Sequence, residues 1–212
     1  MTGATGNADY IETGKGAGPI VVLIHSSTSG ARQWRQLMTE LGDRYHLIAV
    51  NMMGYGGTPP WAGPHAQNIE DHVDAIEQAL PAGNDKICMV GHSLGGAVAM
   101  AFAKRLGDRV DKLILLEPNP FYLLRDHGRD GAYTEIQAVA NDVRVRSDAG
   151  DVEKASENFG DYWSHLGFWA TLHENLQASF IANLSNNYHE WDSVLEGDIS
   201  LETWRETLPA TT

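Results

Sequence analysis

The sequence has 212 residues, one domain's worth of chain, with the apolar (42%) and charged (20%) fractions of an ordinary globular protein. A formal net charge of -13 excludes the positive face that nucleic acid or an anionic membrane requires, so neither is expected as a partner. A single cysteine, Cys88, excludes an internal disulfide.

No apolar run approaches the roughly 20 residues of a membrane span. Met1 to Asp9 is polar and glycine-rich with no apolar signal region, so the expected compartment is the cytoplasm. Tyr10 to Thr13 reads as a short edge strand. Gly14 to Pro19 is a turn; its glycines lack the Gly-Lys-[Ser/Thr] ending of a phosphate loop and precede a strand rather than a helix. Ile20 to Ile24 is a continuous apolar run, as in a parallel strand buried on both faces. Trp34, Leu37, Met38 and Leu41 predict a helix over 31–41, and Leu47 to Val50 a second buried strand. Ile69, Val73, Ile76 and Leu80 mark an amphipathic helix closed by Pro81. Further strands are expected at Ile87 to Val90, around Cys88, and at Leu113 to Leu116, with a small-residue helix from Leu94 between them. Such alternation predicts an α/β fold: a mostly parallel sheet of about five strands covered by helices. From Phe121 to about Leu208 the pattern is helical. Ile136, Val139, Ala140 and Val143 share one face; Leu172, Leu176, Ile181 and Leu184 share another; Trp191 with Leu195 and Trp204 with Leu208 suit short helices.

The chemistry concentrates in Gly91-His92-Ser93-Leu94-Gly95, a Gly-x-Ser-x-Gly motif between strand and helix. A sharp strand-to-helix turn strains the backbone of its central residue and crowds the chain two residues to either side, which accounts for Gly91 and Gly95. Ser93 is thereby a candidate nucleophile at a helix N-terminus, and the Leu94 N–H half of an oxyanion hole. The competing interpretation is a glycine-rich turn with an ordinary surface serine. A dinucleotide-binding fold is disfavoured because these glycines do not follow Gly-x-Gly-x-x-Gly.

At this point the chain resembles the α/β-hydrolase family. Val21 to His25 followed by Ser26-Ser27-Thr28-Ser29-Gly30 and Gln33-Trp34-Arg35 is similar to the family's oxyanion-loop segment, Asn51 to Thr58 to its Gly-x-Gly-x-[Ser/Thr] turn, and Leu113 to Pro118 to the next core strand. The resemblance implies a core over 1–118, a helical cap over 119–208, and a tail at 209–212 where the core resumes. It implies a serine hydrolase that takes a small apolar ester, thioester or C–C bond substrate through an acyl-serine, without metal or cofactor. Ser93 is then the nucleophile, Leu94 and Ser27 are the oxyanion donors, and Glu117 is a candidate acid. His25, Ser26, His92, Phe121, Tyr122 and Trp163 are candidates to line the substrate pocket, with Tyr162, Phe168 and Trp169 as further aromatics. Ser26 stands where the family usually has glycine.

Relatives carry the catalytic acid and histidine on two further strands, and the sequence stops at Pro209-Ala210-Thr211-Thr212 where these would begin. The expectation is therefore a chain without its catalytic histidine, with the outer edge of the Leu113–Leu116 strand free to self-associate. The alternative of a different class is a non-catalytic binding protein that retains the fold. Of the other histidines, His25 and His92 suit local hydrogen bonding, and His165, His173 and His189 lie in the helical region. His65 and His72, beside Asp71 and Asp74, suit a solvated helix face better than a metal set.

Overall fold

The computed structural model describes residues 8–209; the expectations placed on Met1 to Asn7 and on the tail from Ala210 lie outside the described residues. Five strands form a single sheet in the order β1-β3-β2-β4-β5. They are β1 (Tyr10–Thr13), β2 (Ile20–Ile24), β3 (His46–Val50), β4 (Ile87–His92) and β5 (Val110–Leu116). β1 runs antiparallel on β3 with Tyr10 opposite Val50, and the other pairs are parallel. Every residue of β2 and β3 is buried, as their unbroken apolar runs require of strands covered on both faces.

Alternation along the strands separates two cores. Val21, Leu23, Leu47, Ala49 and Val90 face Trp34 and Met38 of the segment that begins with a 3-10 turn (Ala31–Trp34) and continues as α1 (Arg35–Leu41). Cys88 sits half-buried at the margin of this core. Val22, Ile24, Ile48, Val50, Met89 and Leu113 face α2 (Ile69–Glu77) and α3 (Leu94–Leu106). The small residues Gly95, Gly96, Ala97, Ala99 and Ala101 of α3 are buried, which lets the helix lie close on the sheet. α2 starts at a capping box between Asn68 and Asp71, and Arg105 of α3 reaches Glu70, Asp74 and Glu77 on its solvated side. β5 pairs only with β4 among the described strands, and Leu116 at its end is 43% exposed.

After β5 the described residues contain helices only: α4 (Tyr122–Asp126), α5 (Asp130–Asp148), α6 (Val152–Trp163), α7 (Phe168–Thr171), α8 (Glu174–Leu195) and α9 (Leu201–Thr207). Two expectations are corrected. Trp191 and Leu195 belong to the 22-residue α8 rather than to a short helix of their own. Leu172 precedes α8, and Leu176 is 59% exposed, so the buried side of this helix begins further along, at Leu184.

His72 is the third correction. It lies on the inward side of α2 with Val73 and Ile76, fully buried, and neither ring nitrogen has a hydrogen-bond partner among the described residues. Burial pushes its pKa down to about 3, and that of the equally buried His25 down to about 4. Both rings are neutral in the native state, whereas the unfolded chain takes up protons below pH 6.5, so stability rises with pH through the window from about 4 to 6.5. Glu190, a buried carboxyl whose pKa burial raises, works in the opposite direction with one proton against two. His72→Leu removes one of the two imidazoles. In urea denaturation the variant should gain about 1 kcal/mol at pH 7, and the gain should grow by about 1.4 kcal/mol per pH unit between pH 6 and pH 5. A gain that does not change with pH would contradict the buried, neutral His72.

Candidate active site

At the end of β4 the chain turns on one residue. Ser93 has φ 54 and ψ -120, its N–H donates to Leu116 O at 2.9 Å, and α3 begins at Leu94. A Cβ on Gly91 would lie 2.2 Å from Gly95 O, and one on Gly95 2.4 Å from His25 O. The turn therefore closes only because both positions lack side chains. As the first helical residue, Leu94 has no carbonyl four residues back within α3 to accept its N–H.

The loop after β2 lies beside this turn. Gln33 Oε1 accepts from the Ser26 N–H at 3.0 Å and from the Ser26 hydroxyl at 2.9 Å. With its oxygen so fixed, Gln33 presents its NH2 to His92 Nδ1 at 3.1 Å, which leaves the His92 proton on Nε2. That nitrogen lies 3.8 Å from Glu117 Oε2, a separation too long for a hydrogen bond. The Ser26 N–H is thus committed to Gln33, and the next residue, Ser27, lines the cavity together with Ser93 and Leu94. His25 serves the loop from beneath. Its Nε2 accepts from the Met52 N–H at 3.1 Å and its Nδ1–H donates to Ser26 O at 2.7 Å, so it is a bracket between two loops.

A cavity of about 430 Å³ opens over Ser93, roofed by α6, α7 and α8. One wall is aromatic: Phe121 stacks on Trp163 (6.0 Å between ring centroids) and on Trp191 (6.4 Å), with Phe159 and Phe168 beside them. The lining also includes polar side chains, those of Ser27, Asn187 and Glu190. Glu190 is 2% exposed; burial raises its pKa despite hydrogen bonds from the Ser27 side chain, Tyr55 OH (2.7 Å) and Asn187 Nδ2 (3.2 Å).

Of the residues singled out in the sequence, Ser26, Ser27, His92, Ser93, Leu94, Glu117, Phe121, Trp163 and Phe168 line this cavity. His25 does not: it is fully buried behind the loop. Tyr122 lines a second cavity of about 420 Å³, where its hydroxyl accepts from Trp204 Nε1 at 2.9 Å. Tyr162 lies outside the cavity lining, with its hydroxyl on Glu135 at 2.9 Å, and Trp169 packs edge-on against Phe180. Among the described histidines only His92 lines the cavity, and no described cluster of three His, Cys, Asp or Glu side chains could hold a metal ion. Glu190, Asn187 and Phe159 are cavity residues that apolar periodicity does not single out, and Trp191, marked only as a helix-packing residue, lines the cavity too. The signal for the two polar ones is the recurrence of Asn183, Asn187 and Glu190 on one side of a single helix. The non-glycine residues with positive φ among the described residues are Thr28 (64), Ser93 (54) and Glu117 (49), and all three line the same cavity. Strain of this kind concentrates at functional sites.

A parallel sheet, a strained serine between strand and helix, and a helix-roofed cavity above it define an α/β-hydrolase type of protein. The model of the family described as "alpha/beta hydrolase fold" matches residues 19–186, and the chain belongs to that family. It is 39% identical over 106 residues to a 2-hydroxy-6-oxo-2,4-heptadienoate hydrolase of Pseudomonas putida, a match that covers 48% of this chain and 38% of the relative. It is 38% identical over 104 residues to the lipase LipV of Mycobacterium tuberculosis, with the same coverage of each chain. The matched stretch thus spans well under half the length of these curated relatives. A hydrolase structure from Oleispira antarctica superposes with a TM-score of 0.68 at 16% identity, over 97% of this chain and 85% of that one, and shows the shared fold.

The turn makes a sharp demand on Gly95. Gly95→Ala sets a methyl group against two backbone carbonyls, those of Ile24 and His25. It should cost at least about 2 kcal/mol in urea denaturation, whereas Gly131→Ala on exposed α5, where a Cβ meets open space, should be neutral or slightly stabilising. Equal effects would contradict the close approach.

Proposed function

We propose that this chain carries the nucleophile and oxyanion parts of a serine hydrolase, acting on a small, largely apolar ester, thioester or C–C bond substrate. The observation that carries the reading is the strained Ser93 in a roofed cavity that Ser27 and Leu94 also line, with α3 starting at Leu94; their N–H groups are the oxyanion donors of this reading. In this reading residues 119–208 are the cap and the aromatic wall holds the acyl group. Ser93 Oγ attacks the substrate carbonyl carbon and its proton passes to a base. The carbonyl oxygen takes up negative charge between the two N–H groups, the leaving group departs with a proton, and water then cleaves the acyl-serine. Preorganised donors of this kind are each worth about 3 kcal/mol of barrier. Glu117, which follows β5 and lines the cavity with its side chain 90% exposed, is the candidate acid of this reading. The names of the relatives, a hydroxy-oxo-heptadienoate hydrolase and a lipase, fit this range of substrates.

One observation favours a second reading, a binding protein that retains the fold. The imidazole at the cavity, His92, has Nδ1 committed to Gln33 and so is poorly placed to accept the Ser93 proton. A fluorophosphonate probe separates the two. Wild type should be labelled at Ser93, and Ser93→Ala should show at least a hundredfold less labelling. An unlabelled wild type, or equal labelling of both, would overturn the hydrolase reading. We also propose the outer edge of β5 as a contact between copies; a concentration-independent monomer in sedimentation would contradict this.

A further inference from the structure

The polar stripe of α8 does not face water. Asn183, Asn186, Glu190 and Ser193 recur at helical spacing, and each reaches a loop that follows β2 or β3. Asn183 Nδ2 donates to Thr28 O at 2.9 Å and Asn186 Nδ2 to Gly54 O at 2.8 Å. Glu190 Oε1 accepts from Tyr55 OH at 2.7 Å, and Ser193 Oγ donates to Gln67 O at 3.3 Å.

Two of these contacts converge on one residue. While Tyr55 OH donates to Glu190, it accepts from the Thr28 N–H at 2.8 Å. Asn183 holds the Thr28 carbonyl. Both backbone polar groups of Thr28 are therefore held by side chains, one standing on α8 and the other anchored to α8 through Glu190. Thr28 has φ 64, a conformation that a β-branched residue adopts only when its surroundings impose it. Ser27 then lies between two fixed peptides: Ser26, tied to Gln33, and Thr28, tied to α8. A buried carboxyl is a costly way to join a helix to a loop, and apolar packing at position 190 would avoid that cost.

We propose that α8 is the clamp of the oxyanion loop: Glu190, acting through the Tyr55 hydroxyl, and Asn183 hold Thr28 in its left-handed conformation and so aim the Ser27 N–H into the cavity beside that of Leu94. Glu190 and Asn183 are positioning residues. The proposal rests on the serine-hydrolase reading for what the Ser27 N–H does, and on the contacts alone for what α8 does.

Amide hydrogen exchange by NMR on the full chain, combined with fluorophosphonate labelling kinetics, tests it. Glu190→Leu removes a cavity-lining carboxyl that also meets the Ser27 side chain but contacts Thr28 only through Tyr55. Its decisive readout is therefore the Thr28 amide, whose exchange should speed at least about fivefold, with the labelling rate constant slowed by a similar factor. Glu190→Gln keeps an acceptor for Tyr55 and should restore both. Asn183→Leu, at a half-buried position where folding is not in question, should reproduce the Glu190→Leu effects. Unchanged Thr28 exchange in Glu190→Leu and Asn183→Leu, or a Glu190→Gln that behaves like Glu190→Leu, would overturn the clamp. If wild type itself is not labelled, the hydrolase reading falls, and Thr28 exchange alone still decides the clamp.

Discussion

The structure depends on one tight turn, in which the Ser93 N–H is given to Leu116 O and the chain passes itself at Gly91 and Gly95 with no room for a side chain. The hydrogen bond ties the turn to β5, and the missing Cβ atoms let α3 begin immediately and lie flat against β4 and β2. The backbone strain at φ 54 costs on the order of 1 kcal/mol or more. It persists because β4 is buried among its neighbours on one side of the turn and α3 is buried on the other. Everything chemical about the site follows from where this puts Ser93 and the first N–H groups of α3.

Around that fixed point the site is assembled from separate parts of the chain, each locked by its own contacts. Gln33 fixes Ser26 and the His92 tautomer together, and His25 braces the same loop from below while remaining neutral because it is buried. α8 supplies the other boundary, since it closes the cavity with Trp191 and Val194 and also holds Thr28 and Tyr55 with its polar side chains. The cavity lining consequently combines aromatic and hydrogen-bonding side chains. Such a mixture orients a bound molecule, because an apolar group gains by burial against the first and a polar group avoids desolvation against the second.

What was legible in the sequence was local. The unbroken apolar runs at Ile20–Ile24 and Leu47–Val50 declare strands covered on both faces, and Gly-x-Ser-x-Gly declares its turn because the steric demand falls within five residues. What was hidden depends on distant partners. Glu190 meets Tyr55 across 135 positions, and in the sequence it is one more carboxylate in an acidic chain. His72 looks like part of a polar helix face until Val73 and Ile76 are seen to turn the same side of α2 inward. Apolar periodicity split α8 because the side facing the loops is polar yet partly buried, a pattern that counting apolar positions assigns to solvent. Glu117 at φ 49 has no glycine to announce it, and its geometry emerges only where β5 leaves the sheet beside Ser93.

The most direct measurement of the central claim is a crystal structure of the chain after reaction with a fluorophosphonate. The account predicts phosphorus bonded to Ser93 Oγ and one phosphonyl oxygen about 3 Å from both the Leu94 and Ser27 nitrogens, with the alkyl group against Phe121 and Trp163. A phosphonyl oxygen turned toward solvent, away from those two amides, would contradict it.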